Sequence, residues 1–414
     1  MISVARNVVS HDPQREVWRY LRLFLNVHGT ARRLREIHEV PEGKHEANLR
    51  KQAKQIGYCL RQAEEYFQAS ERVELATRPL LLYYGCVSLA QALVLMKKDG
   101  TFSLDASRRS RKHNHHGLEL ERGTAEAAAK AVTLQDFFST LKCTCHTNSR
   151  GELAGHFALV YSCLEPSAFI IHSEFHDWGR TSYVKRDDPC NCADLQPLDR
   201  LANQSFSCWE LLRTLPDLYN SLAEAGTRPT VAPGAISRRV VNHYVQVPLN
   251  TVDNGTPGSS AVNRQLDREV DTHHFFVNRL SEAEKSAVLA LCERNQQIRV
   301  VDQFPTNLHL VLEIQTKAGT EKNMGYYPDV VDDLYGQKYF ILCPDSYLPE
   351  PASMFILMYC LGMLSRYFPD VWMAVADSRV EIAEVTNTLL GVVQRKFPNL
   401  ILDQMTGVKH YVHS

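Results

Sequence analysis

A run of cationic and imidazole side chains between residues 108 and 116 is the strongest candidate for chemistry in the sequence. Its four cations and three histidines are Arg108, Arg109, Arg111, Lys112, His113, His115 and His116. Guanidinium and ammonium groups bind phosphate oxygens through charge-assisted hydrogen bonds, and imidazoles add further donors. The run therefore predicts a phosphate-binding site, whose candidate ligands are Arg108, Arg109, Lys112, His113 and His115.

The spacing between Arg111 and His116 also suggests a catalytic pair. Four residues separate them, and six separate Arg109 from His116; either spacing resembles the Arg-x4–6-His motif of HEPN-type ribonucleases. The resemblance implies RNA cleavage without a metal ion, in which a near-neutral histidine moves a proton and an arginine stabilises the charged phosphorane. Arg111 and His116 are accordingly the candidate catalytic residues. The structural alternative is a solvated basic loop in which His116-Gly117 only closes a turn.

Two close cysteine pairs form a second candidate site. Cys143 and Cys145 are separated by one residue, as are Cys190 and Cys192. Four thiolates, or three and the imidazole of His146, suit the tetrahedral coordination of zinc, so the four cysteines are candidate zinc ligands. The alternative is a set of reduced, unliganded thiols, since the 11 cysteines are scattered along the chain as in a cytoplasmic protein. No cofactor other than zinc is expected.

Composition limits the partners that the chain can bind. The 46 basic and 47 acidic residues give a formal net charge of −1, so RNA or another phosphate ligand must bind a local patch. The apolar stretches 80–96 and 354–364 are interrupted or too short to span a bilayer, and we expect no membrane contact. Residues 1–15 carry no long apolar run, so a cytoplasmic location is expected.

The elements that must position these residues are mainly helical at both ends of the chain. Apolar residues recur every three or four positions over 45–70, and similar patterns over 16–34 and from Pro79 onward predict two more helices. We therefore expect an N-terminal helical bundle over residues 12–141, with the basic loop at 101–122. Helices over 351–367 and 380–395 predict a C-terminal helical region, 346–414, packed on that bundle.

The intervening region, residues 142–345, is predicted to contain both strands and helices. Runs rich in β-branched and aromatic residues predict strands at 156–161, 168–172, 240–247, 298–301, 308–315 and 339–342. Segments 206–223 and 281–293 are predicted to be helices, and 227–234 is predicted to be a connecting loop. The predicted fold class is therefore α+β and mainly helical.

Five apolar motifs in a fixed order give the chain a family resemblance. They are the Trp18 helix, RPLLLYYG at 78–85, His116-Gly117-Leu118, LLRTLPDL at 211–218, and a closing block from Leu348-Pro349-Glu350 to LSRYFPDVW at 364–372. In this order they resemble the YaaC-like family of largely uncharacterised bacterial proteins. The resemblance implies a grouping without an activity or known catalytic residues. Arg366, in the closing block, is expected to pair with an internal acid or to cap carbonyls.

These patterns lead to two functional hypotheses. The first is a non-catalytic accessory or interaction protein that contacts nucleic acid or nucleotide phosphate through the basic run. The second is a metal-independent, HEPN-like ribonuclease. The sequence identifies neither a protein partner nor an oligomeric state.

Overall fold

The structure is a computed structural model that describes most of the 414 residues. The described ranges are 4–110, 112–166, 168–177, 183–191, 195–202, 204–248, 262–294, 298–317, 330–342 and 347–413. Arg111 and Cys192 lie outside these ranges, and the Cys190 side chain is also outside the description. Within them the fold is α+β and mainly helical, as predicted.

The helices and strands follow one another along the chain as follows. The helices are α1 Pro13–Arg22, α2 Val27–Ile37, α3 Glu46–Ser70, α4 Arg78–Met96, α5 Leu104–Arg109, α6 Thr124–Ala129, α7 Leu134–Thr140, α8 His156–Tyr161, α9 Leu198–Leu201, α10 Cys208–Arg213, α11 Tyr219–Glu224, α12 Glu282–Arg294, α13 Glu350–Tyr367, α14 Pro369–Ser378 and α15 Val380–Thr406. The strands are β1 Val4–Val9, β2 Leu118–Leu120, β3 Lys142–Cys145, β4 Ala168–Asp177, β5 Tyr183–Asn191, β6 Ser205–Ser207, β7 Val231–Pro248, β8 Val262–Val277, β9 Ile298–Gln303, β10 Leu308–Lys317, β11 Val330–Asp332, β12 Lys338–Ile341 and β13 Val408–His413.

One hydrophobic core joins the N-terminal and C-terminal helices. Leu60 of α3, Leu93 of α4, Leu361 of α13 and Leu389 of α15 are all buried within it. Helices α13 and α15 both pack on α4, which is therefore the central helix of this body. The same core continues through α6–α8 and α10–α11, so it also contains residues of the 142–222 segment. The domain boundaries 12–141, 142–345 and 346–414 stay a prediction.

Helix α4 is apolar around most of its circumference because neighbours surround it. By length and composition it is the one described helix that meets the requirements of a membrane span, and 72% of its most apolar window is buried inside the protein. Pro79 occupies the first turn of α4, where the missing N–H breaks no helical hydrogen bond.

A large sheet forms the second layer of the molecule. Its strands run in the order β11-β12-β7-β8-β10-β9, with β4 parallel to β7 and β5 attached to β4. The buried faces of β7, β8 and β10 and the helix α12 make a separate apolar core around Phe275, Leu310 and Phe340. Two smaller sheets complete the fold: β1 pairs with β13 in parallel, and β2, β3 and β6 are antiparallel.

Three predictions about individual elements were wrong. Residues 156–161 form the helix α8 and not a strand; all six side chains are buried, and a short apolar run has no periodicity that separates the two states. Segment 206–223 is divided into β6, α10 and α11, because Pro216 cannot continue a helix. The 227–234 connection is shorter than expected, since β7 begins at Val231.

The first predicted helix is also divided into two. Asn26 adopts an extended backbone conformation between α1 and α2, and its side-chain oxygen accepts a hydrogen bond from Gly29 N at 3.0 Å. This interaction caps α2 and starts a new helix axis. The strands predicted at 168–172, 240–247, 298–301, 308–315 and 339–342 and the helix at 281–293 are confirmed.

Candidate functional site

A pocket of about 470 Å³ opens between α4, the segment that follows it and the helix α8; we call it the histidine pocket. One wall is largely apolar. Val87, Gln91 and Val94 lie on one side of α4 at intervals of four and three residues, and Phe102 and Leu159 extend that wall.

The opposite wall of the histidine pocket is polar and comes mostly from the predicted basic run. Its residues are Ser107, Arg108, His113, Asn114, His115, His116 and His156. Five of these carry a guanidinium or an imidazole. A pocket with one apolar wall and several convergent polar groups has the usual construction of a small-ligand site.

The loop that carries these histidines is held by backbone hydrogen bonds to the start of α8. Gly155 N donates to Lys112 O at 2.5 Å, His156 N to His115 O at 2.8 Å, and Phe157 N to His116 O at 2.9 Å. The first amides of a helix have no partner within the helix, so the loop carbonyls satisfy them. These bonds fix the position of the basic run on the body of the protein.

Two glycines allow the loop and α8 to approach each other so closely. Gly117 and Gly155 have φ angles of +81° and +89°, a region that side chains with a Cβ rarely adopt. A Cβ on Gly117 would lie 2.8 Å from Ala154 O, and one on Gly155 would overlap the Gly117 backbone. The His116-Gly117 pair therefore does close a turn, and that turn also forms part of the pocket wall.

His116 lies at the exposed edge of the histidine pocket and contacts the core helix α4. Its Nδ1 is 2.7 Å from the Tyr83 hydroxyl, and its Nε2 has no protein partner in the described part of the chain. Burial raises the pKa of Tyr83 well above its usual value, so this hydroxyl stays protonated. Partial burial and the nearby charge of Arg366 lower the pKa of His116, which leaves the imidazole neutral at pH 7.

Arg366 is distant from His116 in the sequence but near it in the fold. Its Nη1 donates to the Tyr84 hydroxyl, and its guanidinium lies 5.0 Å from the ring centre of Tyr367. It is exposed and forms no ion pair with the described carboxylates, so the expectation that it pairs internally with an acid was wrong. Its position at the last turn of α13 leaves the guanidinium facing solvent beside His116.

Two further histidines have ring nitrogens without hydrogen-bond partners among the described residues. His156 is 9% exposed, and neither of its ring nitrogens is bonded; Nδ1 of His113 is likewise buried and unbonded. Burial lowers the pKa of His156 to about 4 and also lowers the pKa of His113. The imidazoles of the pocket therefore act as neutral hydrogen-bond donors and acceptors. The permanent charge of the pocket comes from Arg108.

The structure separates the predicted phosphate ligands into two groups. Arg108, His113 and His115 line the histidine pocket together with His116. Arg109 and Lys112 do not; Arg109 Nε donates to Asp105 O at 3.2 Å, and Lys112 Nζ lies 3.7 Å from Glu152. The partner predicted for His116, Arg111, lies outside the described residues.

Sequence reasoning missed Tyr83, Tyr84, Arg366 and His156 as parts of this site. The first three belong to the RPLLLYYG and LSRYFPDVW motifs, which were interpreted as core-forming. Their polar tips were the available signal, because a buried tyrosine hydroxyl needs a hydrogen-bond partner. The sequence does not reveal His156, because its short apolar segment predicts a strand.

The described cysteines of the predicted zinc site are buried. Cys143 and Cys145 lie two positions apart on β3, and both side chains point to the interior. Cys143 donates a hydrogen bond to the Cys360 sulfur, which favours the protonated thiol; this bond and burial raise the pKa of Cys143 well above its usual value, and burial raises the pKa of Cys145 to about 12. Their other predicted partners lie outside the description, and no group of three metal-binding side chains occurs within it. Zinc binding stays a prediction.

The fold and the site together define a mainly helical α+β protein with a histidine-lined surface pocket. Comparison with protein families matches residues 22–405 to the YaaC-like protein family, so the chain belongs to that family. No curated protein and no solved structure matches the chain.

Proposed function

We propose that this protein is a non-catalytic, cytoplasmic accessory protein that binds a nucleotide, free or as a unit of RNA, in the histidine pocket. The observation that carries the proposal is the composition of the polar wall. Arg108 offers a guanidinium without an ion pair in the described structure, and His113 and His156 offer ring nitrogens without partners. A ligand with a phosphate and polar ring edges would satisfy both kinds of group.

The apolar wall of the pocket favours a nucleotide as the ligand over inorganic phosphate alone. Val87, Val94, Phe102 and Leu104 give an apolar surface against which a flat base can pack. A volume of about 470 Å³ lies within the range of small-molecule pockets, roughly 300–1,000 Å³. An extended duplex does not fit such a concave site, so the proposal commits to a single nucleotide unit.

The test compares two adjacent arginines on the same helix turn. Isothermal titration calorimetry measures the binding of adenosine 5′-monophosphate to the wild type, Arg108→Glu and Arg109→Glu. We expect Arg108→Glu to weaken binding by at least about tenfold, because charge reversal acts on the phosphate directly. Arg109→Glu makes the same change of charge outside the pocket, and we expect a loss of less than about threefold.

Adenosine, which lacks the phosphate, is the matched control ligand. We expect it to bind the wild type at least about tenfold more weakly than adenosine 5′-monophosphate does. Added salt should weaken the binding of the monophosphate further than that of adenosine. An equal loss in the two glutamate variants would indicate a diffuse basic surface and contradict the pocket. Binding of neither ligand at millimolar concentration would contradict nucleotide recognition.

A metal-independent, HEPN-like ribonuclease is the second candidate function. It is favoured by the Tyr83–His116 hydrogen bond, which orients the imidazole so that Nε2 is available, and by the charge of Arg366 beside it. In this arrangement His116 would move the proton of a 2′-hydroxyl and a guanidinium would stabilise the phosphorane. Arg366 can fill the role that the sequence assigned to Arg111.

A further inference from the structure

A second pocket, of about 510 Å³, lies where α1, α15, β13 and the turn between β11 and β12 meet; we call it the junction pocket. It shares no lining residue with the histidine pocket. Lys396 and Asn399 come from α15, Asp332 from β11, and Tyr411 from β13. The pocket thus connects the helical body to the edge of the large sheet.

Two oxygen atoms in the wall of the junction pocket are buried and lack a donor within the described structure. Asp332 is 6% exposed; its Oδ1 lies 2.7 Å from Lys338 Nζ, but its Oδ2 has no partner among the described side chains. Asn399 Nδ2 donates to His410 O at 3.1 Å, which identifies Oδ1 as the acceptor end of the amide. That Oδ1 is buried and has no hydrogen-bond partner in the described part of the chain. Unpaired buried acceptors are costly, and a ligand with N–H groups would satisfy them.

The charges around the junction pocket favour a positively charged ligand. Lys396 Nζ is 2.6 Å from both Asp217 and Glu350, and Lys409 Nζ is 3.6 Å from Asp403. The lining itself is balanced, with Asp12, Asp332 and Asp333 against Arg395, Lys396 and Lys409. Directly behind it, the three carboxylates of Asp217, Glu350 and Asp403 accompany one ammonium group, Lys338, so the whole set has six carboxylates and four cations. An added cation would compensate this surplus of acidic groups.

The rest of the lining is suited to an organic body attached to that charge. Val17, Leu334, Leu400 and Val412 are apolar, and Tyr411 adds an aromatic ring. A divalent metal ion requires about six oxygen ligands and gains nothing from apolar walls. An ammonium group needs only a few acceptors, and its apolar body can be buried.

We propose that the junction pocket binds an amphipathic organic cation, namely a primary ammonium group carried by an aryl or short alkyl body. The ammonium donates to Asp332 Oδ2 and Asn399 Oδ1, and the apolar body packs against Leu400 and Val412. Binding connects α15 of the helical body with β11 of the sheet. The ligand therefore stabilises the relative position of the two layers.

The experiment uses the full chain and two probes that share a phenylethyl body and differ only in the head group. Calorimetric titration with 2-phenylethylammonium is compared with titration with 2-phenylethanol. We expect the ammonium to bind at least about tenfold more tightly than the alcohol, because the alcohol does not neutralise the acidic surplus. Asp332→Asn and Asn399→Leu should each weaken binding of the ammonium by at least about tenfold.

Two variants serve as controls. Asp105→Asn removes a carboxylate that does not line the junction pocket, and its affinity for the ammonium should stay within twofold of the wild type. Arg108→Glu should bind the ammonium as the wild type does, so a failure of the nucleotide proposal is distinguishable from a failure of this one.

Three results would overturn the junction-pocket proposal. They are equal binding of ammonium and alcohol, no binding of the ammonium at millimolar concentration, and full affinity in both Asp332→Asn and Asn399→Leu. Circular dichroism establishes that each variant is folded. If Asp332→Asn does not fold because Lys338 loses its counter-charge, Asn399→Leu decides the result alone.

Discussion

At the scale of single residues, the main property of the histidine pocket is that its imidazoles are neutral near pH 7. Burial is the first cause of the lowered pKa of His113, His115, His116 and His156. A neutral imidazole can accept a proton or a hydrogen bond, whereas an imidazolium cannot. The pocket therefore has a guanidinium for charge and neutral rings for recognition or proton transfer.

His116 provides the test of the ribonuclease hypothesis. We expect His116→Ala to reduce cleavage of a single-stranded RNA by at least about 100-fold, because it removes the proton-transfer group. The melting temperature should fall by no more than a few degrees: His116 is exposed, but its loss leaves the buried Tyr83 hydroxyl without this hydrogen bond. Gel analysis of a labelled RNA and a thermal melt measure the two quantities.

The pH profile gives a second readout of the same residue. A general base with a lowered pKa remains active at neutral pH and loses activity only as the pH falls below the ordinary histidine pKa of about 6.5. His146→Ala is the matched control: its exposed ring lies outside the pocket lining, and cleavage should stay within twofold. Cleavage that survives His116→Ala would eliminate this hypothesis.

At the scale of elements, the close contact between the basic loop and α8 determines the shape of the pocket. We expect Gly155→Ala to destabilise the protein by about 1–3 kcal/mol more than Gly151→Ala does. Both glycines have positive φ, so alanine strains the backbone at either position; at Gly155 a ψ of −176° adds further strain, because essentially only glycine occupies that region. Only at Gly155 does the new methyl group also meet Gly117 and lie 2.7 Å from His115 Cε1.

Urea denaturation measures the two free energies of unfolding, and calorimetry shows whether Gly155→Ala also loses binding of the monophosphate. A Cβ on Gly151 would have no described neighbour within 4 Å, which makes this position a control for a positive φ without a close contact. Equal losses of stability in the two variants would show that the close approach of Gly155 and Gly117 does not affect the free energy of unfolding.

At the scale of the whole molecule, Lys396 holds the helical body and the sheet together. Its Nζ contacts Asp217, Glu350 of α13 and, at 2.5 Å, the Asp332 carbonyl of β11. Although burial opposes its charge, the two carboxylates raise the pKa of Lys396 above its usual value. Because this folded-state pKa is raised, the stabilisation is present at neutral pH and is lost only at alkaline pH above about 10.4.

Lys396→Met should lower the free energy of unfolding by roughly 3–5 kcal/mol at pH 7.5, because it leaves two buried carboxylates without a counter-charge. Burial raises the pKa of Glu350, so protonation at pH 5.5 should relieve part of this loss. Urea denaturation at the two pH values measures both effects.

The neighbouring residue supplies the control for Lys396. Arg395 is exposed, and its Nε donates to Gly391 O within the same helix, so Arg395→Met should cost less than about 0.5 kcal/mol. A similar loss in the two variants, or a loss in Lys396→Met that does not depend on pH, would contradict this account of the ion cluster.

The sequence by itself determined the elements whose signal is local. The stripe of α3, the proline at the start of α4 and the long apolar run of α13 were predictable because periodicity and capping act over a few residues. The basic run was visible for the same reason, and so was the order of the motifs that relates the chain to the YaaC-like family. The short buried helix α8 was not predictable, since its amides depend on the carbonyls of a distant loop.

The tertiary structure decided which side chains meet and in what state of charge. Tyr83, His116 and Arg366 converge although they are separated by up to 283 residues, because α13 packs on α4 and the basic loop is fixed to α8. Arg108 faces the pocket while the adjacent Arg109 does not, a distinction that composition cannot make. Burial then sets the pKa of each histidine, and burial is a property of the folded chain.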